Sequence, residues 1–167
     1  QRPNPPIYVG GHAKVAIDRA ARLGAEYLIS TTQKIGEIAA LVKTYHEAMA
    51  THGKTPRKPT LNRIVCVVDN AVNKQKAEAI YARALLGLYD SWGHENVTGL
   101  EKTERELRVL CDDHFIIGEV AECIEKIQHY EALGIGHIAC LMNFGGPDLE
   151  LVDRSMRLLG EQVMPLL

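Results

Sequence analysis

The stretch Arg63-Ile64-Val65-Cys66-Val67-Val68 is an almost unbroken run of apolar and β-branched residues, and Asp69-Asn70 ends it. Such a run predicts a β-strand that is covered on both faces, as in a parallel sheet flanked by helices. Three other short apolar runs also lead through a turn into an amphipathic helix pattern: Ile7-Tyr8-Val9, Tyr27-Leu28-Ile29 and His137-Ile138-Ala139-Cys140-Leu141-Met142. This alternation predicts an α/β fold with parallel strands and helical crossovers.

Periodic apolar positions and terminal glycines outline the helices between these strands. They predict helices over 12–23, from about 35 to 52, and over 73–90, 119–132 and 148–163. Residues 91–117 break the alternation, because polar loops flank a charged helix at 100–110. An irregular insertion of this length often covers a functional site.

Length and composition indicate one domain over residues 1–167 with a substantial core. A net charge of -2 argues against a nucleic-acid partner. No apolar run approaches the about 20 residues of a membrane span, so no membrane partner is predicted. The four cysteines form no CxxC pair, which favours free thiols in a cytoplasmic protein. The start lacks an initiator Met and an apolar signal core, so we expect that earlier residues are absent or removed.

Functional residues in parallel α/β folds gather where strands end and helices begin. Gly10-Gly11-His12 permits close approach of a ligand to the backbone, although the glycines alone favour a simple tight turn from strand to helix. Ser30-Thr31-Thr32 offers a helix cap and hydroxyls that could contact a ligand, and Asp69 is predicted to cap the helix that follows it. Of the seven histidines, His12 and His114 are the functional candidates. No histidine pair has metal-ligand spacing with a carboxylate, so no metal site is predicted.

Several segments together carry a family resemblance. They are Pro5-Pro6-Ile7-Tyr8-Val9-Gly10-Gly11, Ala20-Ala21-Arg22-Leu23-Gly24-Ala25, Phe115-Ile116-Ile117-Gly118, Gly134-Ile135-Gly136-His137-Ile138 and Asn143-Phe144-Gly145-Gly146. The chain resembles the C-terminal half of the bacterial luciferase-like flavin-dependent monooxygenases. The resemblance covers nearly the whole chain, and its most specific part lies between residues 134 and 165.

The resemblance implies a TIM barrel of which this chain supplies four C-terminal βα units, strands five to eight, as a half barrel. It implies reduced FMN and O2 acting on a small organic substrate, with a mobile loop at 91–117. It places the FMN phosphate near Gly10, Gly11, His12 and Ala13, with Ser30 and Thr31 facing the flavin. The main catalytic residues belong to the family's N-terminal half, which is absent here, so we expect the isolated chain to be inactive.

Two alternatives remain open at this point. The same superfamily contains oxidoreductases that use the deazaflavin F420, and they share these motifs. The chain could instead be a non-catalytic half barrel, because open parallel edges favour pairing with a second copy or with a partner. We therefore expect a homo-oligomer or pairing with the missing half.

Overall fold

The computed structural model describes residue 2 and the ranges 5–91, 104–146 and 148–167. The chain divides into two compact units. The first comprises Gln1–Asn62 and Tyr130–Ala139, and the second comprises Arg63–His129 and Cys140–Leu167.

Strands and helices alternate through the described residues. The first elements in chain order are β1 (Tyr8–Gly10), α1 (Lys14–Leu23), β2 (Glu26–Ile29), α2 (Ile35–Thr51) and β3 (Thr60–Val67). They are followed by α3 (Ala71–Ser91), α4 (Glu104–His114), β4 (Phe115–Gly118), α5 (Val120–Ala132), β5 (His137–Leu141) and α6 (Leu149–Leu158). A π-helical turn at Leu159–Val163 and a 3-10 turn at Met164–Leu166 extend α6.

The registered strand pairs are parallel. Gly10 pairs with Leu28, Ile29 pairs with Leu61, and the β3–β4 register runs from Ile64 opposite Phe115 to Val67 opposite Gly118. The strands pair in the order β1-β2-β3-β4, and β5 also pairs with β3. The predicted α/β fold with a parallel sheet is confirmed.

The predicted count of four strands differs from the structure, which has five strands in its described residues. The additional strand is β4, where the sequence indicated the end of an irregular insertion. All four residues of β4 are buried, and they pair with β3. The described part of the insertion is therefore regular, with helix at 104–114 followed by strand at 115–118. Residues 92–103 lie outside the described residues.

In the first unit, α1 and α2 pack on the β1–β2 pair. Ile17, Ala20 and Ala21 form the buried face of α1. The ring of Tyr45 on α2 lies 5.3 Å from that of Tyr27, and its hydroxyl donates to the backbone oxygen of Ala25 at 3.0 Å. Burial of Ile17 contributes about 1.5–3 kcal/mol of hydrophobic stabilisation, which holds α1 in the core of this unit.

In the second unit, alternate residues along β3 and β4 form one apolar cluster with α3 and α4. Its buried members are Ile64, Cys66, Val68, Ala77, Tyr81, Ala82, Leu85, Leu86, Leu110, Cys111, Phe115 and Ile117. On α6, the buried Ser155 hydroxyl accepts a hydrogen bond from the backbone N–H of Val67 at 2.8 Å. A side chain thereby satisfies a strand donor that would otherwise cost free energy when buried.

Candidate functional site

The turn after β1 brings Gly10, Gly11, His12 and Ala13 to the start of α1. Gly11 has φ +124°, and a Cβ at this position would lie 2.9 Å from the Cβ of Ala16. The turn therefore requires glycine both for its backbone conformation and for the space beside α1. His12 and Ala13 are exposed at the surface of the unit.

The N-terminus of α1 has no side-chain cap. Ala13 occupies the N-cap position and makes no side-chain hydrogen bond, and the first turn contains no acidic residue. Alanine is a poor N-cap, because it cannot accept a bond from the first N–H groups of a helix. The free N–H groups and the partial positive charge at such a helix start favour the binding of an anion.

The turn after β2 contains the predicted hydroxyl residues. The Ser30 and Thr32 hydroxyls lie 3.1 Å apart, and the N–H of Thr32 donates to Ser30 Oγ at 3.3 Å. Ser30 is half-buried, whereas Thr31 is buried. They do not cap α2, because Lys34 holds the N-cap position and its N–H donates to Glu37 Oε2. Since β1 and β2 are parallel, both turns begin at the carboxyl ends of the two strands and lie on the same side of this pair.

At the carboxyl end of β3, the structure separates the roles of two neighbouring residues. Asn70 Oδ1 accepts from the N–H of Asn73 at 2.9 Å, so Asn70 and not Asp69 makes the capping bond that the sequence assigned to Asp69. Asp69 instead accepts from Asn73 Nδ2 at 2.7 Å and from Arg154 Nη2 at 2.6 Å. The hydrogen bond from Asn73, aided by the Arg154 charge, lowers the pKa of the Asp69 carboxyl.

An open cleft of about 360 Å³ lies in the second unit and was not predicted from the sequence. Its lining residues are Ala71, Lys74, Gln75, Glu78 and Asp112. The Lys74 ammonium lies 2.6 Å from Glu122 Oε1. Their hydrogen bond raises the pKa of Lys74 and lowers the pKa of Glu122. The two residues are 48 positions apart, so no local pattern could have revealed the pair.

The candidate His114 and the segment Asn143-Phe144-Gly145-Gly146 lie in the second unit. His114 is the last residue of α4, and its side chain is buried. Phe144 in the loop after β5 packs against the apolar cluster around β3. Gly145 has φ +76° and lies so close to Ala84 that a Cβ would overlap with the methyl group of that alanine. This loop is therefore held against α3.

The described ranges lack a metal-binding cluster and a membrane-spanning helix. Within them, no group of three or more His, Cys, Asp or Glu residues is arranged to hold a metal ion. Within the same ranges, no helix combines the length and apolar character that crossing a membrane requires.

Comparison with known families identifies the family. The model of the luciferase-like monooxygenase family matches residues 1–137, and the chain belongs to this family. No curated protein sequence matches the chain.

Solved structures show the same fold. The monooxygenase RslO1 of Streptomyces bottropensis has 20% identity and a TM-score of 0.78 over 99% of this chain and 49% of its own. The oxygenating constituent of 3,6-diketocamphane monooxygenase of Pseudomonas putida is a type II Baeyer–Villiger enzyme that was solved in complex with FMN. It has 19% identity and a TM-score of 0.74, over 96% of this chain and 48% of its own. An F420-dependent secondary alcohol dehydrogenase has 14% identity and a TM-score of 0.68, over 98% of this chain and 49% of its own. The chain thus spans about half the length of these structures.

Proposed function

We propose that this chain is part of a flavin-dependent monooxygenase that uses reduced FMN and O2 to oxidise a small organic substrate. The observation that carries the proposal is the uncapped start of α1 behind Gly11, in a chain of the luciferase-like family. The FMN phosphate would be held at Gly10, Gly11, His12 and Ala13.

The physical fit of this turn to a phosphate has two parts. Gly11 presents no side chain, so an anion can approach the backbone closely. Because Ala13 leaves the first turn of α1 without a side-chain acceptor, a phosphate oxygen can accept the N–H bonds there. The exposed Lys14, the first residue of α1, adds a cationic side chain next to this turn.

The turn after β2 would contribute to the flavin side of the same site. Ser30 is half-buried. It follows the carboxyl end of β2, and Gly11 follows the carboxyl end of the parallel strand β1. Thr31 is buried, so its contribution would be to shape the wall beneath the ring. When bound, reduced flavin supplies the electrons that activate O2. The residues of this chain bind and orient it, and the proposed catalytic groups belong to the absent N-terminal half.

A deazaflavin-dependent oxidoreductase is the second candidate. The alcohol dehydrogenase that matches 98% of this chain was solved with an F420–acetone adduct, and a tetrahydromethanopterin reductase of Methanopyrus kandleri that uses coenzyme F420 matches 96%. FMN and F420 both carry a phosphate, which the turn at Gly11 would hold in either case.

A non-catalytic half barrel is the third candidate. In the first unit, Ile7 directly before β1 is 65% exposed and Tyr8 within β1 is 50% exposed. In the described residues, β1 pairs only with β2, which leaves its other edge open to a second copy or to the absent half. Light scattering of the purified chain tests this candidate, because a monomer at high concentration would count against it.

Cofactor titration tests the proposal. FMN, riboflavin and F420 are added in oxidised and reduced form to this chain and to a polypeptide that also contains the residues encoded before Gln1. We expect FMN to bind more tightly than riboflavin, because only FMN carries the phosphate. Failure of both polypeptides to bind FMN or F420 in either redox state would end the proposal, whereas binding of F420 alone would select the second candidate.

A further inference from the structure

Arg154 is held in place by a short chain of hydrogen bonds in the second unit. Its Nη2 donates to Asp69 Oδ2 at 2.6 Å, and the other oxygen of that carboxylate accepts from Asn73 Nδ2 at 2.7 Å. The carboxylate is thereby fixed from two sides, one on α3 and one on α6. A guanidinium held by a fixed partner keeps a defined orientation for its remaining donors.

The position of the Arg154 guanidinium, rather than the strength of its ion pair with Asp69, indicates a binding role. Only Val68 separates Asp69 from the end of β3, so the guanidinium lies near the carboxyl end of a parallel strand, where α/β enzymes bind their ligands. The Arg154 side chain remains 59% exposed. A guanidinium has five N–H donors, and the bond to Asp69 occupies one of them.

We propose that Arg154 is a recognition residue that binds the phosphate or carboxylate group of a small molecule at the carboxyl end of β3. Two oxygens of a carboxylate or of a phosphate can accept in parallel from the donor fork of a guanidinium, whereas an ammonium group offers only a point charge. Because Asp69 balances the charge of Arg154, binding depends on the remaining oriented donors and not on excess positive charge. The inference rests on the proposed function only in taking this strand end as a ligand-binding face.

Arg157 is a control in the same helix. It pairs with Asp153 at 2.9 Å across one helical turn, and its side chain is 68% exposed. Its partner lies on α6 and not at a strand end. Both arginines therefore have a carboxylate partner and an accessible guanidinium, but only Arg154 lies at the carboxyl end of β3.

The test follows the side-chain Nε–Hε signals of both arginines by NMR while inorganic phosphate or acetate is added to the 15N-labelled chain. We expect a saturable shift of the Arg154 signal and only a small, non-saturating shift of the Arg157 signal. Replacement Arg154→Gln should weaken phosphate binding at least about tenfold, and Arg154→Lys should not restore it fully. Arg157→Gln should leave binding unchanged.

Equal, non-saturating shifts of both arginines would overturn the inference, since they would indicate general ionic screening. If Arg154→Gln does not fold, the comparison of the two signals in the unchanged chain still decides the question. Competition then identifies the source of the oxyanion. FMN displacing phosphate from Arg154 where riboflavin does not would assign the cofactor phosphate to Arg154 and would reject its placement at the turn Gly10–Ala13. Displacement by acetate alone would assign an acidic substrate. Saturable phosphate binding at Arg154 without flavin or F420 binding would reject the proposed function and retain this inference.

Discussion

Each carboxylate oxygen of Glu122 accepts a hydrogen bond, and Oε1 accepts from the Lys74 ammonium at 2.6 Å. The other oxygen accepts from the N–H of Glu119 at 2.9 Å, so the same side chain caps the start of α5. Gly118 makes room for it, because a Cβ there would lie 2.6 Å from Glu122 Oε2. The first turns of α3 and α5 are thus tied through one carboxylate.

Replacement of this carboxylate should cost more stability than replacement of an ordinary surface carboxylate. We expect Glu122→Gln to lower the free energy of unfolding by about 1–2 kcal/mol, because it weakens both the ion pair and the helix cap. Glu47→Gln is the control, since Glu47 lies 3.9 Å from Lys43 in an exposed pair on α2. It should cost less than about 0.5 kcal/mol. Urea denaturation measures both variants, and equal costs would contradict the prediction.

The pH dependence of this pair follows from the directions of the two pKa shifts. The hydrogen bond from Lys74 lowers the pKa of Glu122, so the stabilisation is present above the unfolded pKa of the carboxyl and is lost as pH falls through the folded pKa. The pKa of Lys74 is raised, so its stabilisation is present below its unfolded pKa and is lost as pH rises through the folded pKa.

A double-mutant cycle of Lys74→Met and Glu122→Gln should therefore give a coupling energy that is constant near neutral pH and falls at both acid and alkaline pH. Denaturation at these three conditions measures it. A coupling energy that rises on acidification would show that the pair is not formed as described.

Gly11 and Gly10 provide a matched pair at the candidate phosphate turn. Gly11→Ala should destabilise the chain by about 1–2 kcal/mol and weaken FMN binding, because φ is +124° and the new methyl group would crowd Ala16. Gly10→Ala should have little effect on stability, since its Cβ would make ordinary contact with Leu28 O at 3.8 Å. Thermal unfolding and FMN titration compare them. Similar losses in both variants would show that the turn does not depend on Gly11.

Two buried tyrosines should respond differently to loss of the hydroxyl. Tyr45→Phe removes the 3.0 Å bond to Ala25 O and should cost about 1 kcal/mol. Tyr27→Phe should be neutral or stabilising, because no described protein atom accepts or donates a hydrogen bond to the buried Tyr27 hydroxyl. Burial also raises the pKa of Tyr27 to about 12. A larger loss of stability for Tyr27→Phe than for Tyr45→Phe would refute this assignment.

The four thiols should fall into two reactivity classes. Cys140 is exposed, whereas Cys66, Cys111 and Cys123 are buried. Burial raises the pKa of Cys111 and of Cys123 to about 12, so these thiols carry almost no thiolate at neutral pH. A colorimetric thiol reagent should label one cysteine quickly and all four only after unfolding. Cys140→Ser should remove the rapid phase, and its persistence in that variant would contradict the described burial.

The helices were predictable where local signals were strong. The predicted span 73–90 compares with Ala71–Ser91, and 119–132 compares with Val120–Ala132. The strand β4 was missed because four apolar residues beside a helix start have no pattern of their own. Their strand character depends on pairing with β3, about 50 residues earlier in the chain.

The candidate site was predictable only in its local parts. Gly11 in a positive-φ turn follows from a Gly-Gly pair after a strand. The roles of Asp69 and Asn70 were not separable, because both residue types cap helices well. What separates them is Arg154, which lies 85 positions away from Asp69. Contacts of this range leave no trace in a single sequence.

The hydrogen bond between Val67 and Ser155 has a consequence for folding during synthesis. The two residues are 88 positions apart, so the acceptor Ser155 is synthesised long after the donor Val67. Until α6 emerges from the ribosome, the N–H of Val67 can donate its hydrogen bond only to water, and α6 does not yet cover β3 at Val67. A nascent chain that stalls before residue 155 would therefore expose an aggregation-prone strand, and chaperone dependence should be greatest in that interval.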